Sequence, residues 1–152
     1  MDFDKIVEAA KMPAAILIGI SILGDLLTLI PGIGIVISLA LGMLSMVLTP
    51  VILAWAGFEY AKKYNNADFV AGAAVGGVVG VVSAIVEGVV SIIFAMIGFG
   101  AALSSGMDGM GGAAIGALTT GVMIIGLVIG TIATLIVGLV CGAIGAFLSK
   151  HI

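Results

Sequence analysis

Apolar residues run along this chain in long blocks instead of alternating with polar ones. The first block covers residues 13–57, and as one helix at 1.5 Å per residue it would be about 68 Å long, more than twice the roughly 30 Å of a hydrocarbon core. It must turn back. The stretch LIPGIG supplies the turn at Pro31 and Gly32, because proline removes a helix donor and glycine accepts a reversed backbone. The pattern therefore predicts spans over 13–30 and 33–57, a third over 69–98 and a fourth over 112–148. The fourth is about 55 Å as a helix and reads as one long, tilted or projecting span. Ahead of them, Phe3, Ile6, Val7 and Ala10 recur at helical spacing. Residues 2–11 are thus expected to form a short amphipathic helix lying on the membrane surface, with Pro13 opening the first span. The segment GVMIIGLVIGTIATLIVGLV is apolar at odd and even positions alike, which argues against a transmembrane barrel. The predicted class is all-α: a polytopic helical membrane protein of about four transmembrane helices, with residues 1–152 as a single membrane domain.

Composition agrees with this pattern. Hydrophobic residues make up 62% of the chain and charged residues 9%, against about 45–50% and about 25% in soluble domains. The most polar stretch, WAGFEYAKKYNNADF, sets Trp55, Phe58, Tyr60, Tyr64 and Phe69 around Lys62 and Lys63, as at a membrane–water boundary. With the N-terminus in the cytoplasm, four spans put Lys5, Lys11, Lys62, Lys63 and Lys150 on the cytoplasmic side, which the positive-inside tendency prefers. A fifth span would move Lys150 outside. The expectation is a multi-pass protein of the cell membrane with both termini cytoplasmic. MDFDKIVEAAKMP mixes both signs of charge and no A-x-A pattern follows the first apolar run, so no cleaved signal peptide is expected. The net charge of −3 is spread along the chain without a basic patch. No nucleic-acid partner is expected.

Glycine is the most distinctive residue, at 24 positions. Pairs four apart occur at Gly72/Gly76, Gly76/Gly80, Gly112/Gly116, Gly126/Gly130 and Gly138/Gly142. More telling are continuous small-residue stripes: Gly72, Gly76, Gly80, Ala84, Gly88, Ser91, Ala95 and Gly98 in the third span, and Gly126, Gly130, Thr134, Gly138, Gly142 and Ala146 in the fourth. Such faces let helix backbones approach closely where lipid supplies no hydrophobic drive. They are expected to pack against each other within one bundle or against another subunit.

Two acids stand inside apolar spans. Glu87 lies in VVSAIVEGVVSIIFAMIG, Val81 to Gly98, with no other charge around it. A charged acid at the bilayer centre costs about 2.5–3.5 kcal/mol on insertion scales and usually faces a bundle interior or water. Adjoining Gly88 on the stripe, Glu87 is expected to point into the helix interface, where a protonated carboxyl donates a hydrogen bond across a close contact. An ion or proton role is the competing reading. Asp25 sits about 9 Å along the helix from Pro31, within reach of interfacial water. The flanks of the two acids, LGDLLT and VEGVVS, do not align as a repeat.

Other features carry less chemistry. Pro50 in VLTPVI is expected to kink the second span, with Thr49 satisfying a freed carbonyl. Asp108 alone makes a poor cation site, GMGGAA follows no strand of a βαβ unit, and His151 and Cys141 lack partners for metal or disulfide chemistry. No catalytic group, cofactor or metal is expected.

The glycine-rich spans joined through AGFEYAKKYNNADFVAGAAVGG, within about residues 50–90, resemble small glycine-rich multi-pass membrane proteins of archaea. The resemblance implies no activity and carries over no site residue. The leading expectation is a non-enzymatic subunit that acts by helix packing in the lipid bilayer, with other membrane subunits or copies of itself as partners. The alternative is a small channel or ion-coupled transport component using Glu87 and Asp25.

Overall fold

The computed structural model describes residues 2–28, 30, 34–65, 68–104 and 110–151, and the side chains within them except at 28, 34–35, 38, 95, 98–104 and 110–120. They form four helices, α1 (Phe3–Thr28), α2 (Gly34–Lys63), α3 (Phe69–Ser104) and α4 (Met110–Leu148), with no strand among the described residues. Each is long and apolar enough to cross a membrane. Their polar signals stop and start the helices. Asp68 caps α3, its carboxylate accepting the Val70 amide at 3.0 Å. The turn before it uses Asn65 at φ 48°, a conformation that asparagine tolerates better than most side chains.

The helices run antiparallel. The start of α1, the end of α2, the start of α3 and the end of α4 therefore gather at one end, which carries Lys5, Glu8, Lys11, Lys62, Lys63, Asp68 and Lys150. We call this the charged end. In the middle, α2 and α3 touch each other and both flanking helices; among the described residues α1 and α4 make no such contact. The apolar window of α3 is 44% buried and that of α4 only 6%. Helix α4 thus offers one narrow face to the bundle and leaves Ile125, Ile129, Ile132 and Ile136 outward, as befits a helix against lipid.

Three sequence expectations meet the fold here. The amphipathic segment is not set apart: α1 continues through Pro13, and Ile6, Ala9 and Ala10 are buried with Leu53, Ala56, Tyr60, Ala71, Val75 and Val79. The apolar stripe of residues 6–14 covers α2 and α3, so it has a protein partner and no need of the membrane surface. Helix α4 is continuous, and α2 runs unbroken through Pro50. The turn at Pro31 and Gly32 and the carboxylate of Asp108 lie outside the described residues.

Candidate functional site

The α3–α4 contact decides where space remains in the bundle. Gly72, Gly76 and Gly80 meet Gly142, Gly138 and Thr134. A Cβ on Gly80 would stand 2.6 Å from the Thr134 carbonyl oxygen, and one on Gly76 2.8 Å from Gly142 Cα. Only hydrogen at these positions lets the backbones come so close. Two helical turns farther from the charged end the contact changes. Gly88 faces the Leu127 side chain, with a Cβ there 2.8 Å from Leu127 Cγ, while Gly126 and Gly130 have nothing within 4 Å of where a Cβ would sit. The stripes therefore meet over the half nearer the charged end and part over the other half. The Gly112/Gly116 pair falls outside the described side chains, as do Ala95 and Gly98.

Glu87 lies where the backbone-to-backbone seam ends, and it is exposed. It does not enter the α3–α4 contact, as the stripe suggested: at its level Gly88 and the Leu127 side chain make that contact, and Glu87 borders open space beside it. It borders three cavities. The first, about 150 Å³, draws on all four helices: Leu17 and Ser21 from α1, Ser45 and Thr49 from α2, Ser83 and Glu87 from α3, and Thr134 from α4. The second, about 190 Å³, joins Ser21, Asp25, Gly42, Ser45 and Glu87. The third, about 350 Å³, is a groove between α3 and α4 lined by Glu87, Ser91, Met123, Gly126, Leu127 and Thr131 among others.

Asp25 is half-buried against α3, and Ser91 Oγ donates a hydrogen bond to its carboxylate at 3.2 Å. It therefore faces inward at the level of Ser91, sharing a cavity with Glu87, and does not simply reach toward interfacial water. Four other hydroxyls around the two acids spend their protons on their own helices. Ser45 donates to the Gly42 carbonyl at 3.0 Å, Ser83 to Gly80 at 3.2 Å, Thr131 to Leu127 at 2.7 Å and Thr134 to Gly130 at 2.6 Å. Each hydroxyl oxygen keeps its lone pairs for an acceptor role. The lining is rich in acceptors, and among the described residues no lysine, arginine or histidine borders any of the three cavities. This chemistry suits a proton or a cation. A divalent ion wants six or more oxygens with several carboxylates, and no group of three His, Cys, Asp or Glu comes together among the described residues.

Toward the charged end the first cavity is closed. One helical turn from Leu17, Thr49, Ser83 and Thr134 stand Pro13, Leu53, Val79 and Gly138, all buried, with Leu53 and Val79 at 0% exposure. Farther out, Glu8 ties the beginning of α1 to the end of α2. It pairs with Lys63 at 3.0 Å and accepts the Tyr64 hydroxyl at 2.6 Å. That hydrogen bond to a carboxylate pushes the Tyr64 phenol above its ordinary value.

Sequence reasoning found the two acids, took Ser91 and Thr134 only as small residues of the packing stripes and Thr49 only as a partner for a freed carbonyl, and passed over Ser21, Ser45 and Ser83. A signal was present: Ser21/Asp25, Ser45/Thr49 and Ser83/Glu87/Ser91 repeat at strict fourths, each marking one polar stripe on an apolar helix. No protein family, curated protein or solved structure matches the chain, so no residue role comes to it from a relative.

Proposed function

We propose that the protein is a multi-pass component of the cell membrane that binds and conducts a proton or monovalent cation through the cavities around Glu87, with Asp25 as the second acid. The observation that carries this reading is that Glu87 is shared by three cavities whose polar lining comes from all four helices. Carboxylates inside membrane segments are costly and serve as ion or proton sites when they face water-filled space. At about 30 Å³ per water, a 150 Å³ cavity holds about five waters. Hydroxyl oxygens and water replace part of a cation's hydration shell beside the carboxylate. The buried layer at Pro13, Leu53, Val79 and Gly138 closes the route on one side, so conduction requires that layer to part. By the lysine distribution, the closed, charged end faces the cytoplasm, together with both termini.

Purified protein in liposomes tests the reading. Proton or sodium flux is expected from the unmutated chain and is expected to drop at least tenfold in Glu87→Gln, with the fold intact by circular dichroism. Absence of flux from the unmutated chain overturns the reading.

A second reading, a subunit that acts by packing in a larger assembly or with its own copies, has one observation in its favour: only 6% of the apolar window of α4 is buried. Native extraction in a mild detergent with mass measurement tests it, and a monomer without partners removes it.

A further inference from the structure

We propose that the groove between α3 and α4 binds an amphiphilic organic cation, which enters sideways from the bilayer and sets its positive charge against Glu87. The inference rests on the cation reading of Glu87 and adds a ligand class and a route. Size separates this groove from the other two spaces. Ligand pockets run from about 300 to 1,000 Å³, and of the three spaces that Glu87 borders only the groove, at about 350 Å³, reaches that range; the two hydroxyl-lined cavities measure about 150 and 190 Å³. A pocket of about 400 Å³ farther along α3 and α4, lined by Val78, Val81, Leu135 and Leu139 among others, has no acid among the described residues of its lining. Water and a small ion fit the two cavities, and an organic body fits the groove.

The walls sort by chemistry. Ile92, Met123 and Leu127 give an apolar surface, and methionine adapts its shape to varied partners. Glu87, Ser91 and Thr131 give the polar part. With no cationic side chain on the lining, the field of the groove favours a positive ligand. Space for its body comes from Gly126 and Gly130, where a Cβ would have nothing within 4 Å. On the sides of α3 and α4 turned away from the groove, Val89, Ile93, Ile125 and Ile129 are exposed apolar side chains, at 47–61%, so both walls of the groove belong to helices suited to lipid. An amphiphile concentrates in the bilayer beside these helices, whereas an inorganic ion comes from water through the polar cavities.

The test uses the full chain in lipid nanodiscs and tetraphenylphosphonium as the probe, with binding measured by equilibrium dialysis against empty nanodiscs. Saturable binding at one site per chain is expected. Glu87→Gln, which removes the charge, and Gly126→Leu, which fills the groove, are each expected to weaken it at least tenfold; Gly130→Leu is a second filling variant should Gly126→Leu fail to fold. Unsaturable uptake equal in all variants means that the groove holds lipid alone and overturns the proposal. So does binding that survives Gly126→Leu and Gly130→Leu, because the cation then reaches Glu87 by another way. Proton flux of the unmutated chain without the probe is read separately: a chain that conducts protons through Glu87 but binds no probe loses the groove proposal and keeps the cation reading.

Discussion

Ser91 on α3 hydrogen-bonds Asp25 on α1 across 66 positions of sequence, at 3.2 Å, one helical turn from Glu87. The bond does two things. It turns the carboxylate of α1 toward the cavity it shares with Glu87, and it joins α1 to α3 in the half of the bundle where α4 meets α3 through the Leu127 side chain instead of through facing glycine backbones. Replacing Ser91 with alanine removes the donor and leaves the helix. A bond of this kind contributes about 1 kcal/mol, so Ser91→Ala is expected to lower the midpoint of thermal unfolding in detergent by about 2–4 °C. A midpoint equal to that of the unmutated chain would show that Asp25 is held by other contacts.

The closeness of α3 and α4 makes opposite predictions for glycines of the same stripe. A Cβ on Gly138 would collide with the backbone of Gly76, 2.8 Å from its carbonyl carbon, whereas Gly126 faces open space. Gly138→Ala is expected to destabilise by about 1–3 kcal/mol, the usual cost of overpacking. Gly126→Ala is expected to be neutral or to stabilise by up to about 1 kcal/mol, since alanine is the better helix former. Unfolding in a denaturing detergent titration separates the two, and equal behaviour contradicts the divergence of the helices.

That divergence also marks the limit of what the sequence conveys. The four helices follow from apolar run lengths, because a bilayer admits few ways of satisfying the backbone. The acids were visible as single charges in apolar surroundings. What the stripe could not tell is where it stops making contact: Gly80 and Gly130 look alike in sequence, yet one touches Thr134 and the other borders a groove. The difference depends on Leu127, whose side chain meets Gly88 and leaves no flat face on α4 there. Likewise Ile6 and Ala10 read as a membrane-surface stripe because helical spacing records that a face is apolar without recording which apolar partner covers it.

The buried layer below the cavity predicts a leak. Leu53 is fully buried one turn from Thr49. Leu53→Ala is expected to cost about 2–5 kcal/mol of stability, as large-to-small substitutions in packed interiors do. It is also expected to raise ion flux through liposomes severalfold by joining the cavity to the charged end. Lower stability with unchanged flux would separate Leu53 from the closure.

At the charged end, Tyr64 offers a pH readout. Its phenol is held above the ordinary value near 10 by the hydrogen bond it donates to Glu8. With the folded value raised, the stabilising effect of this bond is complete below about pH 10 and is lost as pH rises through the raised value. Ultraviolet titration of the unmutated chain minus Tyr64→Phe is expected to show a phenol ionising above pH 10. In Glu8→Gln the same group is expected to ionise at lower pH. An ionisation that does not move in Glu8→Gln contradicts the contact.

In the conduction reading, the cavities that Glu87 borders take water from the side away from the charged end. Cysteine labelling measures that access. With Cys141, the single cysteine, changed to serine, Glu87→Cys and Leu53→Cys are treated in oriented vesicles with a charged, membrane-impermeant thiosulfonate reagent. Rapid modification is expected at position 87 from the face opposite the charged end, and modification at least tenfold slower at position 53, which the reagent reaches only when the layer parts. A cysteine at position 87 that stays unmodified from both faces places that side chain in lipid or in a helix contact, and the account is then wrong.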